Sequence, residues 1–324
     1  MPVDTSDPVA LHLRTAGISR SDLSKGGLIM NDLREDEALD LFRSCSNTGR
    51  WGADDQQGTL NFISAESRLA ALQMVRTGEC ISLAADVRTA AIAEPGTPGY
   101  EHDMLYSWSP ITCGDRIAFK VHGGAVTHID CLGHEFFDGM AYNGRTSADI
   151  VGRDGLEFGD VHALGGGIVT RGVLLDLEEQ VPEVWPQGRV LARHLDECAE
   201  REGIDIRSGD ALIVHLGTQS HAPAGGPGVH PGLGASCLPW LHEKQISVYL
   251  GDCIEYLPSG YDRLPFPLHQ IGIAAMGLVL VDNCRLDELV AHSRATGQYD
   301  FLLVIGPLRL KGATGSPVNP LCML

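Results

Sequence analysis

Positive charge is scarce in this chain: 24 lysines and arginines face 42 aspartates and glutamates over 324 residues, a formal charge of −18. A nucleic-acid binder needs a basic surface to displace phosphate counterions, which argues against that class. An anionic membrane surface recruits the same basic residues, so no membrane partner is expected either. Aromatic residues make up only 6% of the chain. The longest apolar run, Ile271 to Val281, has eleven residues including two glycines, too few to cross a bilayer. The opening MPVDTSDPVALHLR has no basic segment followed by an apolar one, so no secretory signal is expected. Nine cysteines are odd in number and form no C-x-x-C pair, which suits the reduced, mostly buried thiols of a cytoplasmic protein. There is no G-x-S-x-G nucleophile elbow, no G-x-x-x-x-G-K-[ST] phosphate loop, and no G-x-G-x-x-G between a strand and a helix. Nucleotide chemistry and serine hydrolysis therefore lack their usual signals.

Glycine, by contrast, is abundant: 39 residues, about 12% against a typical usage of about 7%. With 17 prolines it implies many turns and close backbone approaches, not a helical bundle. Amphipathic periodicity predicts helices over Asn31–Cys45 and Ser64–Thr77, the second with Ser64 as N-cap and Gly78 as C-cap. Buried strands are predicted at Arg116–His122, Ile168–Asp176, Ala211–Leu216, Ser247–Gly251, Leu278–Asp282 and Phe301–Ile305. Helices near Leu191–Glu202, Cys237–Lys244 and Leu286–Thr296 alternate with them, giving an α/β domain with antiparallel insertions. Residues 1–48 are expected to form an N-terminal arm and helix, and 49–324 one catalytic domain.

The chemistry concentrates in VHGGAVTHIDCLGHEFFDGMAYNG, Val121–Gly144, which places His122, His128, Asp130 and His134 within thirteen residues. In an extended segment, His128 and Asp130 share a face. If the chain then turns helical, Asp130 and His134 stack at i, i+4. Imidazole and carboxylate together are donors for zinc, manganese or iron. Cys131 falls out of phase with that face and reads as core. Downstream, His269 follows two prolines, and Asp282 ends an apolar run where either a helix cap or a functional carboxylate belongs. Trp108, Phe137 and Tyr142 are candidates for an apolar substrate wall. The segment Ala222–Gly234, with His221 and His230 at its flanks, is a candidate lid.

Four segments in order carry a family resemblance: RWGADDQQGTLNFIS at Arg50–Ser64, the H-x-D-x-x-x-H core, the downstream H…D-N, and GATGSPVNP at Gly312–Pro320. Together they resemble the cyclase-family metal hydrolases, which include bacterial kynurenine formamidase and isatin hydrolase. The resemblance is to the longer branch, over roughly Trp51 to the C-terminus. It implies a single compact α/β domain with a swivelling β/β/α-type core, a mixed sheet flanked by helices, and assembly as homodimers or homotetramers. It also implies a divalent zinc or manganese ion and water-driven opening of a cyclic amide, N-acyl amide or lactone bond of a small molecule. Carried over from H-x-G-T-H-x-D-x-P-x-H, the second histidine is His128, the aspartate Asp130 and the last histidine His134. The first ligand position falls on Gly124, which cannot ligate, and the proline position is Leu132. His122, two residues earlier, reaches the metal if the loop bulges. The family's downstream glutamate aligns with Asp282, one methylene shorter. The implied metal set is His122, His128, Asp130, His134, His269 and Asp282, with His134 or His269 moving the proton. A metal-dependent lyase or cyclase, or a non-catalytic small-molecule or metal-binding homologue, stand as alternatives.

Overall fold

The structure is a computed structural model and describes residues 33–87, 99–106, 112–124, 126–185, 187–218 and 229–324. An acidic first turn (Glu35, Asp36, Glu37) suits the positive end of the helix dipole and opens α1 (Glu35–Ser44), which turns Ala38 and Leu41 inward. Ser64 accepts a hydrogen bond from the Ser67 amide and caps α2 (Ala65–Leu72). Strands β1 (Cys80–Ser82), β2 (Glu101–Tyr106), β3 (Cys113–Ala118) and β4 (His128–Asp130) follow, then α3 (Ser147–Ile150) and the short pair β5 (Val151–Gly152) and β6 (Gly155–Leu156). The central repeat runs β7 (Ile168–Asp176), α4 (Leu177–Gln180), β8 (Arg189–Val190), α5 (Ala192–Glu202), β9 (Ala211–His215), β10 (Gly232–Leu233), α6 (Cys237–Glu243) and β11 (Val248–Gly251). A π-helical segment, Leu268–Met276, leads to β12 (Val279–Asp282), α7 (Asp287–Thr296), β13 (Asp300–Ile305), β14 (Gly315–Pro317) and β15 (Leu321–Met323).

Among the described residues one nine-stranded sheet has the order β1-β15-β13-β7-β9-β11-β12-β4-β14. The central strands β7, β9, β11 and β12 are parallel. The flanking strands on both sides are antiparallel. A parallel strand covered by helices is buried on both faces and reads as an unbroken apolar run, as in the ALIVH of β9. Alternation then distributes side chains to two cores. Val173, Leu175 and Leu280 pack with α1, α5, α6 and the π-helical segment. Leu174, Val279 and Val281 pack with Tyr142, Leu132 and Phe301 on the other side. The fold is thus the expected mixed sheet flanked by helices, and no described helix is long and apolar enough to cross a membrane.

Three expectations about local structure fail for identifiable reasons. The strand expected as buried at Arg116–His122 is β3, which pairs only with β2 and is exposed along almost its whole length. Period and propensity there are strand-like, but the main sheet offers it no edge. Helix α2 stops at Leu72, short of Thr77, because the amides of Thr77 and Gly78 donate to the Leu324 carbonyl at 2.8 and 2.9 Å and draw the chain away. Beyond Asp130 the chain makes a turn instead of a helix. The Gly133 amide donates to the Gly159 carbonyl at 2.8 Å and so gives up a helical partner. Glycine is required there: a Cβ would meet Leu156 Cδ1 at 2.6 Å and the Phe158 carbonyl oxygen at 2.9 Å.

Candidate metal centre

The carboxyl ends of β11 and β12 face the amino end of antiparallel β4, whose register sets His128 beside Asp282 and Asp130 beside Leu280. Ligand crevices of open α/β sheets form outside the carboxyl ends of their strands. Here a cavity of about 370 Å³ is lined by His122, His128, Asp130, His134, His269 and Asp282 together with Glu255, Asp252 and His230. All six ligand candidates from two distant stretches of sequence therefore meet in one place.

Asp130 is the hub and is wholly buried. His122 Nδ1 lies 2.8 Å from its Oδ1, His128 Nε2 3.5 Å and His134 Nε2 4.0 Å. His269 Nε2 stands 3.5 Å from Asp130 Oδ2 and 3.6 Å from Asp282 Oδ2. Three of the imidazoles have their outer nitrogen held by an oxygen. His128 Nδ1 donates to the Val126 carbonyl at 3.0 Å, and His269 Nδ1 donates to Glu255 Oε1 at 2.8 Å. His122 Nε2 pairs with Thr314 Oγ1 at 2.8 Å. This leaves the inner nitrogens turned toward the carboxylates, the arrangement that orients histidine toward a cation.

The carboxylate oxygens complete that picture. Neither oxygen of Asp130 accepts a hydrogen bond, nor does Asp282 Oδ1, and the close approach of His122 Nδ1 lacks hydrogen-bond geometry. Buried oxygens without donors are costly unless something positive supplies the missing partner. Their donor atoms fall into two groups that share Asp130: His122, Asp130 and His134, and His128, Asp130 and Asp282, each within 4.8 Å. Nitrogen and carboxylate donors without thiolate fit zinc or manganese. Burial alone would raise Asp130, but His134, His122, His269 and His128 hold its carboxyl well below the usual range. Burial alone would lower His269, but Glu255, Asp130 and Asp282 hold it well above the ordinary imidazole value. The site is built for positive charge.

Gly124 lines the cavity with open space at its Cβ position, and His122, two residues earlier, is the side chain that joins the cluster. The terminal GATGSP explains how. Thr314 grips the His122 ring, and Gly315, paired with Asp130 across β14 and β4, would bring a Cβ to 3.0 Å from His122 Cε1 and 2.6 Å from the Ile129 carbonyl oxygen. The His122 and His134 rings stack at 3.6 Å. Asp282 does not cap α7, whose N-cap is Leu286.

Two of the three expected wall residues, Phe137 and Tyr142, are not among the cavity's described lining residues. Phe137 is buried against Phe42, with ring centroids 4.8 Å apart, and Tyr142 is buried with its hydroxyl donating to Asp55 Oδ2 at 2.8 Å. Both rings serve core packing, the usual fate of large apolar side chains beside a buried strand. Trp108, His221 and residues 222–228 of the candidate lid lie outside the described residues; its described end brings His230 and Pro231 to the cavity. Leu257 and Phe266 supply the apolar lining instead.

Glu255 is the principal residue that sequence reasoning missed. Its Oε2 accepts the amides of Leu268 and His269 at 3.0 and 3.1 Å while Oε1 holds the His269 ring. No motif surrounds it; its one sequence signal is an acid just beyond a buried parallel strand. Glu135, beside His134, was likewise unmarked, and burial pushes its carboxyl up to about 7.

A mixed α/β domain with a buried histidine–carboxylate centre able to hold a divalent cation defines the class. The family model described as "Putative cyclase" matches residues 59–256, more than half of the chain, and the chain belongs to that family. A solved structure of a novel cyclase is similar at 25% identity and TM-score 0.77, covering 87% of this chain and 99% of that one. An isatin hydrolase bound to the product analogue thioisatinate shares the fold at 17% identity and TM-score 0.54, covering 81% and 99%. Isatin hydrolase A from Ralstonia solanacearum does so at 18% identity and TM-score 0.54, covering 80% and 97%. No curated protein matches the chain.

Proposed function

We propose that this protein is a metal-dependent hydrolase that opens a cyclic amide, N-acyl amide or lactone bond of a small molecule. The observation that carries the reading is the set of donorless carboxylate oxygens of Asp130 and Asp282 facing imidazoles whose outer nitrogens are already held. His122, His128, Asp130 and Asp282 would hold the ion, zinc or manganese, with His269 closing the shell. When bound, such an ion supplies Lewis-acid polarisation of the carbonyl and acidifies water. Membership of the cyclase family and the shared fold of isatin hydrolases support the same reading.

The chain's own residues account for the proton. Water oxygen bonds to the carbonyl carbon, the C–N or C–O bond breaks, and one proton of the water passes to the departing nitrogen or oxygen. His134 is the residue proposed to carry it, because histidine titrates near working pH and this ring reaches the shared carboxylate without lying in the deepest part of the cluster. Glu255 fixes His269 so that its Nε2 faces Asp130 and Asp282. Leu257 and Phe266 offer an apolar surface for the body of the substrate. The functional unit is proposed to be a dimer or tetramer of this chain.

The test is direct. Purified protein should contain about one divalent ion per chain by elemental analysis, and with Mn²⁺ or Zn²⁺ added it should turn over members of a panel of lactones, cyclic imides, isatin and N-formylkynurenine. In ¹⁸O-labelled water the product should carry one labelled oxygen. A fully active, metal-free protein would overturn the reading, and product without label would turn it to a lyase.

A further inference from the structure

The charge around the cavity says which small molecules can enter. Four carboxylates line it, Asp130, Asp252, Glu255 and Asp282, while no lysine or arginine is among its described lining residues. Enzymes that bind anionic substrates usually place a fork of guanidinium donors or an ammonium opposite the anion, because only a fixed cation repays its desolvation. The centre itself offers little surplus: Asp130 and Asp282 together match the charge of a divalent ion, and Glu255 is spent on His269 at 2.8 Å. Asp252 remains on the wall, its carboxylate fastened by the amides of Leu216 and Thr218 at 2.8 and 2.9 Å.

From this we infer that the site selects substrates that carry no anionic group, neutral or basic amides, imides and lactones, and discriminates against carboxylate-bearing analogues of the same shape. The inference rests on the hydrolase reading and adds the substrate's charge to it. It also gives the reaction a direction. Hydrolysis turns a neutral ring into a carboxylate, so the product is an anion formed beside fixed negative charge, and repulsion helps it to leave. Ile254, half-buried on the cavity wall between Cys253 and Glu255, is the position where a single added ammonium would reverse the preference.

Two matched probes decide the matter: a phthalimide bearing a ring carboxamide, and the same phthalimide bearing a ring carboxylate. With the Mn²⁺-loaded protein, kcat/KM for the carboxamide should exceed that for the carboxylate by at least about tenfold. Calorimetric binding of both probes to metal-free protein reads the same preference without turnover. In Ile254→Lys the gap should narrow at least about fivefold, through the carboxylate probe alone and with the gain screened by salt. Equal or stronger binding of the carboxylate by the parent protein overturns the inference, and so does binding of neither probe. Binding of the neutral probe without any hydrolysis leaves the charge preference standing and counts against the hydrolase reading.

Discussion

Two buried histidine–carboxylate groups stand at the carboxyl ends of the parallel strands, one where β12 meets antiparallel β4 and the other at β7 and β9, and they end differently. At β12 and β4, His128, Asp130 and Asp282 converge within 4.8 Å; at β7 and β9, Asp176, Glu178 and His215 do the same. The second group is closed by the chain itself. Arg294 Nε donates to Asp176 Oδ2 at 2.6 Å, its Nη2 donates to Glu178 Oε2 at 2.9 Å, and His215 Nδ1 pairs with Asp176 Oδ1 at 2.8 Å. In the first group no arginine or lysine is among the described lining residues, and among the described residues the oxygens of Asp130 accept nothing. Donor chemistry is the same in both places. A metal site is distinguished by the cation that the protein does not supply.

The sharpest way to break this comparison is Asp130→Ala. It should lose the bound ion by elemental analysis and reduce hydrolysis by at least roughly 10³-fold, since a Lewis acid contributes several kcal/mol to the barrier. Retention of metal and activity would place the centre elsewhere. In the closed group the expected loss is of stability. Arg294→Met takes the guanidinium from buried Asp176 and leaves His215 as its remaining partner, and chemical denaturation should report a loss of about 2–4 kcal/mol, with the metal content unchanged. A metal requirement appearing or vanishing in that variant would erase the distinction between the two groups.

Smaller effects sharpen it. Glu255→Gln should weaken metal affinity or activity by roughly 10–100-fold, the usual cost of losing a partner that orients a ligand histidine, while Glu255→Asp recovers part of it. A unchanged metal titration would reduce Glu255 to a loop anchor. Near the closed group, burial pushes Glu202 up to about 8, aided by the charge of Asp176, whose amide donates to its Oε1. The folded state then holds a proton that the unfolded chain releases near pH 4.5, so stability should fall as pH rises from about 4.5 to 8. Glu202→Gln should flatten that slope by about 1–2 kcal/mol between pH 5 and 8, measured by urea midpoints. A slope equal to the parent's would remove Glu202 as its source.

The parallel strands were legible because each is a short apolar run covered on both faces, so Ile168–Asp176 appears where its pattern ends. The H-x-D pair was legible because β4 alternates, which puts His128 and Asp130 on one side. His134 reached the same point by a turn and not by the expected helix, since Gly159 takes the Gly133 amide. Phe137 and Tyr142 misled because an aromatic ring near a motif has the same sequence signal whether it lines a cavity or fills the core. Glu255 carried only the weak signal of an acid just beyond a buried strand, as its partner His269 lies on a separate segment of backbone.

Residue types and short-range periodicity determined the donor set, the strand that presents it and the layers of the fold, because these follow from chemistry and from spacings of a few residues. Which carboxylates would find a counter-charge within the chain was decided only in three dimensions. Arg294 reaches Asp176 across 118 positions of sequence, and among the described residues no guanidinium reaches Asp130. Electrostatic pairing depends on distance in space, and spacing along the chain does not record it.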